Sequence, residues 1–147
     1  MTYSSPGSLS VLADTITTLE SPTLLAAAGT TGMRTWEAAK FLLRFLYTPE
    51  GRMYVHGKRV IELGAGTGLV SMFCVRYLGA QYNLATDGTG EVVDCIAENM
   101  YLNQLDDQEC MKTVVLKWGH AITSELLMDE DGTRSYDLVI GTDIVSV

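Results

Sequence analysis

From Lys58 onward the chain alternates between short apolar runs and longer segments with helical spacing, a pattern that predicts a parallel sheet with crossover helices. The first predicted strand is Arg59-Val-Ile-Glu-Leu63. Gly64 to Gly68 form a turn, and Leu69 to Leu78 carry a helix-like apolar pattern that Gly79 can end in a left-handed conformation. Tyr82 to Thr86 make the second strand, ending at Asp87, and residues 90–103 the next helix, with Val92, Val93, Ile96 and Met100 on its buried side. Thr113 to Leu116 read as strand three. A polar, acidic connection with Asp129-Glu-Asp131-Gly132 precedes strand four, Tyr136-Asp-Leu-Val-Ile140. The expected fold class is therefore α/β.

Ahead of this alternation the pattern is different. Residues 1–33 are rich in Ser, Thr and Gly, yet Leu9, Leu12, Ile16 and Leu19 recur at helical spacing, so an accessory segment with one short amphipathic helix is expected. Thr35 is placed to cap a helix through about Tyr47, with Trp36, Ala39, Leu43 and Leu46 on one stripe. Pro49 and Gly51 then interrupt the chain. Two regions follow: the accessory segment 1–33 and an α/β domain over 34–147.

With 147 residues, 47% hydrophobic and 19% charged, the chain has the material for one domain with a real core. A formal net charge of -8 argues against binding driven by phosphate backbones or anionic membranes, so neither nucleic acid nor membrane is an expected partner. Lys and Arg are absent before Arg34, which leaves neither a secretory nor a mitochondrial leader signature, and the apolar run Leu24 to Ala28 is too short to cross a bilayer. The three cysteines, Cys74, Cys95 and Cys110, form no CxxC pair and read as small buried hydrophobes of a reducing compartment. A cytoplasmic protein is the expectation. Residues 34–76 hold seven Lys or Arg against three Glu, whereas residues 87–143 hold three basic against thirteen acidic, so one edge is expected to be positive, as a solvated face or a docking surface.

In a parallel sheet the carboxyl ends of all strands share one edge, where open α/β folds bind ligands. Past the first end lies the loop Gly64-Ala65-Gly66-Thr67-Gly68, past the second Asp87, past the third Trp118, and past the fourth Thr142-Asp143. Glycines suit a tight turn that lets a ligand approach the backbone. The third glycine comes one residue too early for G-x-G-x-x-G, and a Gly-Lys-Ser/Thr ending is absent, which disfavours dinucleotide and P-loop readings. Asp87 is placed to accept hydrogen bonds from ribose hydroxyls, or to serve as a turn aspartate before Gly88. Trp118 can cover an adenine ring or fill the core; Trp36 reads as core on spacing alone. Asn99 and Asn103, at i and i+4, read as a solvated pair or a helix-end cap. His56 and His120 are isolated, so no metal site is expected, and no G-x-S-x-G elbow is present.

Val60-Ile-Glu-Leu-Gly-Ala-Gly-Thr-Gly-Leu69 resembles motif I of the seven-strand S-adenosylmethionine-dependent methyltransferases, and Ala85-Thr-Asp87 resembles their acidic second motif. Thr31-Gly-Met-Arg-Thr-Trp-Glu-Ala-Ala39 is similar to the Trp-containing helix of the protein-lysine methyltransferases called family 16. Together with Ala85-Thr-Asp-Gly88, Glu98-Asn-Met-Tyr-Leu-Asn103 and Leu116-Lys-Trp-Gly119, the set most resembles the elongation factor 2 lysine methyltransferases of fungi. The resemblance implies a Rossmann-like sheet with strand order 3-2-1-4 present and strands 5–7 missing, preceded by N-terminal helices. It implies S-adenosylmethionine as cofactor and elongation factor 2 as protein substrate. Gly64, Ala65 and Gly66 would then contact the methionyl part, Asp87 the ribose, and Trp118 the adenine region. Trp36 and Thr142 match positions that also line the cofactor, and Asp143 would sit nearest the methyl group and the incoming lysine.

The family motif places a Tyr where this sequence has Ser146, one residue before Val147. A C-terminally truncated methyltransferase is therefore expected, in preference to a short form completed by another chain. Two further readings remain from other classes: a noncatalytic cofactor-binding or protein-interaction module, and a nicotinamide-dependent oxidoreductase, which the glycine spacing disfavours.

Overall fold

The computed structural model describes residues 1–4, 14–20, 33–106, 109–119 and 136–144. In chain order its elements are β1 (Thr2–Ser4), β2 (Thr15–Thr17), α1 (Glu37–Leu46), α2 (Pro49–Val55), β3 (Arg59–Leu63), α3 (Leu69–Arg76), β4 (Tyr82–Asp87), α4 (Gly90–Leu102), β5 (Met111–Val115) and β6 (Leu138–Gly141). The four later strands form a parallel sheet in the order β5-β4-β3-β6. Counted along the chain this is the expected order 3-2-1-4, a Rossmann-like arrangement. Parallel neighbours need long crossovers, which α3 supplies between β3 and β4 and α4 between β4 and β5. After β5 the chain returns to the far side of β3, so strand order reverses between β3 and β6. That reversal opens a crevice outside the carboxyl ends of these two strands.

The register Glu62↔Ala85↔Thr113 and Glu62↔Ile140 puts alternate residues of all four strands on one face. Against that face, Leu69, Met72 and Phe73 of α3 and Val92, Ile96 and Met100 of α4 pack on Ala85 and Met111. Ala39, Leu46, Val55, Val70 and Cys74 pack on Val60 and Ile140. Helix α3 is buried along its whole run from Leu69 to Cys74 because α1 and β2 cover the sides that the sheet does not. Each fully buried Leu, Ile, Val or Met contributes about 1.5–3 kcal/mol relative to an exposed position.

Several expectations need correction. Residues 15–17 are a strand, pairing antiparallel with Thr2–Ser4, where a helix was expected. The segment Thr-Ile-Thr is β-branched and alternates exposed, buried, exposed, which suits a strand resting on a surface. Leu9 and Leu12 lie outside the described residues, as do Leu24 to Ala28, Thr31 and Gly32, His120, the acidic connection 129–132 and Ser146. Helix α1 starts at an extended Trp36 that makes no side-chain cap bond. The Thr35 hydroxyl is instead shared with the Thr67 hydroxyl at 2.8 Å. Pro49 and Gly51 do not interrupt the chain; they begin α2. Pro49 occupies the first helical turn, where its missing N–H costs nothing, and Thr48 caps the helix by accepting from Gly51 N at 3.0 Å. Strand β5 begins at Met111, earlier than expected, and β6 at Leu138, later than expected. No helix among the described residues is long and apolar enough to cross a membrane.

Gly51 is the contact point of α1 and α2. A Cβ there would overlap the Phe45 carbonyl oxygen and lie 2.7 Å from Leu46 Cα, both backbone atoms that cannot swing aside. Alanine would add about 0.5–1 kcal/mol of helix propensity, against about 1–3 kcal/mol of overpacking. Gly51→Ala is therefore expected to lower the urea unfolding midpoint, and an unchanged or higher midpoint would contradict the close approach.

Candidate functional site

At the end of β3 the backbone leaves the sheet in a turn whose glycines adopt left-handed angles, with φ of +64° at Gly64 and +55° at Gly66. Only glycine takes these without strain. The turn is pinned from β4: Ala65 N donates to Thr86 O at 2.8 Å, and Gly66 N donates to Asp87 Oδ2 at 3.0 Å. The other carboxylate oxygen, Asp87 Oδ1, accepts from Gly88 N at 2.7 Å. A carboxylate offers about four lone-pair sites, so Asp87 holds the turn with acceptor capacity to spare. These two bonds meet the turn-aspartate reading of Asp87.

A hollow opens over this turn. Trp36, Gly64, Ala65, Gly66 and Thr142 line it together with Arg34, Thr35 and Thr67. Trp36 is 48% exposed, so it stands at the rim and is not core as its spacing suggested. Its stripe partners Ala39 and Leu46 are buried; Trp36 escapes because it precedes the first helical turn. Trp118 is 52% exposed, which excludes the core-filling alternative. A Cβ at Gly64 would lie 3.8 Å from Trp118 Cζ2 and 3.1 Å from Ile144 Cγ2, so the indole and the segment after β6 both close on the glycine backbone. Asp143 is exposed with φ of +54° and directly follows Thr142, without lining the hollow itself. All seven expected binding residues thus gather at one rim, five in the lining and two through contacts to Gly66 and Gly64.

The sequence reading missed a buried layer beneath the turn. Glu62, from the middle of β3, is buried and accepts from Ser71 N at 2.9 Å and from the Ser71 hydroxyl, tying the sheet to α3. An acidic residue inside the apolar strand Arg59–Leu63 was the available signal. The neighbouring Cys74 is fully buried, and desolvation, with the Glu62 charge, pushes its thiol pKa up, which makes it a packing residue with no thiolate to offer.

Asn99 and Asn103 are neither solvated nor merely capping. Both are buried. Asn103 is the C-cap residue of α4 and donates to Asn99 O at 2.7 Å, which is a capping bond. Its amide also brackets β2, accepting from Thr17 N at 2.9 Å and donating to Thr17 O at 2.6 Å. Asn99 accepts from Leu19 N at 2.7 Å and donates to Thr67 O, in the turn, at 2.9 Å. The signal was present: positions 92, 96, 99 and 103 form one helical stripe, and its first two members, Val92 and Ile96, are core. A separate open depression between Leu19 and the Ala97, Tyr101 and Leu102 side of α4 is almost wholly apolar. Glu98 is the one charged residue of its lining, short of the several convergent polar groups that orient a ligand.

The model of a family described as lysine methyltransferase matches residues 24–147. The protein-lysine N-methyltransferase EFM3 of Chaetomium thermophilum is 45% identical over 129 residues, covering 88% of this chain and 38% of that protein. EFM3 of Saccharomyces cerevisiae is 33% identical over 141 residues, covering 85% of this chain and 38% of that protein. The chain therefore spans well under half the length of these relatives. Among solved structures, a Pyrococcus horikoshii protein described as a "putative RNA methyltransferase" aligns with a TM-score of 0.53 at 22% identity, over 86% of this chain and 52% of its own. At that identity the match speaks for the fold alone.

The buried carboxyl gives the site a pH signature. Desolvation raises the pKa of Glu62 from 4.5 to about 7, outweighing the Ser71 hydrogen bonds that lower it, and the Asp87 charge raises it further. A raised folded-state value contributes stability that is complete below 4.5 and is lost as pH rises through about 7. The melting temperature of the native chain should therefore fall across that window relative to Glu62→Gln, which cannot titrate. Parallel curves of melting temperature against pH would contradict the assignment.

Proposed function

Because the chain belongs to the lysine methyltransferase family, we propose that it forms the cofactor-binding part of an S-adenosylmethionine-dependent protein-lysine N-methyltransferase acting on translation elongation factor 2 in the cytoplasm. The observation that carries this reading is the convergence of four separate segments on one rim. The glycine turn, Asp87, Trp118 and Thr142 meet there at the point where strand order reverses. The substrate assignment rests on the motif resemblance to elongation factor 2 methyltransferases.

The residues present suit the cofactor. Gly64 and Gly66 present backbone without a Cβ to the methionyl portion and the Ala65 methyl is buried in the core, Asp87 has acceptor capacity for the ribose hydroxyls, and two exposed indoles, Trp36 and Trp118, offer apolar faces to a ring. When bound, S-adenosylmethionine supplies a methyl group already activated by its sulfonium, so the chemistry left to the protein is alignment. Metal ligands have no necessary part in such a transfer. A free lysine has a pKa of about 10.4, so its amine must arrive neutral, helped by desolvation or a nearby acceptor. Asp143, exposed beside Thr142, is assigned the positioning of that amine and the acceptance of its proton.

Two measurements test the reading. Asp87→Ala should weaken cofactor binding by about ten- to hundredfold, the equivalent of hydrogen bonds to a charged acceptor; unchanged affinity by calorimetry would remove the ribose role. With labelled cofactor and purified elongation factor 2, label should appear on lysine. Retention of cofactor without transfer would identify a binding module instead.

A further inference from the structure

We propose that Asn99 is a positioning residue for the glycine turn: its amide accepts from Leu19 N, just past β2, and holds the carbonyl of Thr67, and with it the wall of the cofactor site. This rests on the reading of the turn as the cofactor site. The backbone N–H groups of Thr15 and Thr17 in β2, and of Leu19 just past its end, donate to Tyr77 Oη at 3.0 Å, Asn103 Oδ1 at 2.9 Å and Asn99 Oδ1 at 2.7 Å. Side-chain groups thus replace a partner strand. The geometry permits it because one i,i+4 step on a helix rises about 6 Å, while alternate residues of a strand are about 6.6 Å apart.

Asn99 departs from the pattern in one respect. Tyr77 and Asn103 each return a donor to the carbonyl of the same strand residue, Thr15 O at 2.7 Å and Thr17 O at 2.6 Å. The amide of Asn99 points the other way, to Thr67 O. From Thr67 the connection closes on itself. The Thr67 hydroxyl meets the Thr35 hydroxyl at 2.8 Å, and Thr35 N donates to Glu20 Oε1 at 3.3 Å, one residue from Leu19. Thr35 and Thr67 both line the hollow. Four hydrogen bonds and the Leu19–Glu20 peptide link therefore join Leu19, Asn99, Thr67, Thr35 and Glu20 in a closed circuit beside the hollow, and the Asn99 side chain is what ties the segment after β2 to the turn in it.

The circuit separates two variants that an ordinary packing role would not. Asn103→Ala removes the bonds to Thr17 and the cap on Asn99 O, but leaves the Asn99 side chain and its bond to Thr67 O in place. Asn99→Asp keeps the acceptor for Leu19 N–H but loses the donor to Thr67 O. Binding of S-adenosylhomocysteine by calorimetry, thermal unfolding and amide hydrogen exchange at residues 66–68 are measured for both and for the native 147-residue chain. Asn99→Asp should weaken binding by about five- to tenfold, the equivalent of one hydrogen bond, and speed exchange at 66–68 without ligand. Asn103→Ala should lower the melting temperature while leaving affinity within about twofold. Equal loss of affinity in both variants, or a lowered melting temperature in Asn99→Asp with native affinity and exchange, would overturn the proposal. If the native chain does not bind S-adenosylhomocysteine, the cofactor reading falls. Exchange at 66–68 in Asn99→Asp then decides the coupling by itself, acceleration supporting it and native rates ending it.

Discussion

A backbone that leaves a sheet to make a tight turn abandons its ladder, and its polar groups must be captured by something else. In this chain the captors come from three directions. Thr86 and Asp87 at the end of β4 take the N–H groups of Ala65 and Gly66, Asn99 on α4 takes the carbonyl of Thr67, and Thr35 ahead of α1 takes its hydroxyl. None of these is local in sequence; beside the one bond inside the turn, Gly68 N to Ala65 O, its shape is a property of the assembled fold. The parallel register of β3 and β4 makes the first capture possible, because it brings Leu63 level with Thr86. Everything that gathers at the rim depends on that alignment.

The parts legible in sequence are those governed by local pattern. Alternation gave β3 and β4, helical spacing gave α3 and α4, and the residues just past each strand end could be assigned to one edge once the strands were taken as parallel. The parts that were not legible depend on partners far along the chain. Helical spacing at Ile16 and Leu19 was a coincidence of composition; residues 15–17 are extended because Tyr77 and Asn103 offer backbone-like partners more than sixty residues away. Pro49 looked like a breaker because its position relative to a helix start was not yet fixed. Trp36 shares a stripe with Ala39 but sits one step before the helix, and that step takes it from core to rim.

The two polar layers of the site obey different rules. At the rim, Asp87 is only partly buried, its charge shared between two backbone N–H groups. Below it, the Glu62 carboxylate accepts from the backbone N–H and the hydroxyl of Ser71, and burial dominates its ionisation. A carboxyl so placed ties α3 to β3 at a cost that an apolar residue would not incur, which is the mark of a group kept for geometry.

Cys74 sits in that same interior, against the residues that join α3 to the sheet. Its sulfur is sealed from solvent and held as the unreactive thiol, whereas Cys95 and Cys110 are only partly covered. Alkylation at this position requires α3 to lift away from β3, so labelling of Cys74 reads how often the interior opens. The chain thereby carries its own clock for breathing of the layer that supports the glycine turn.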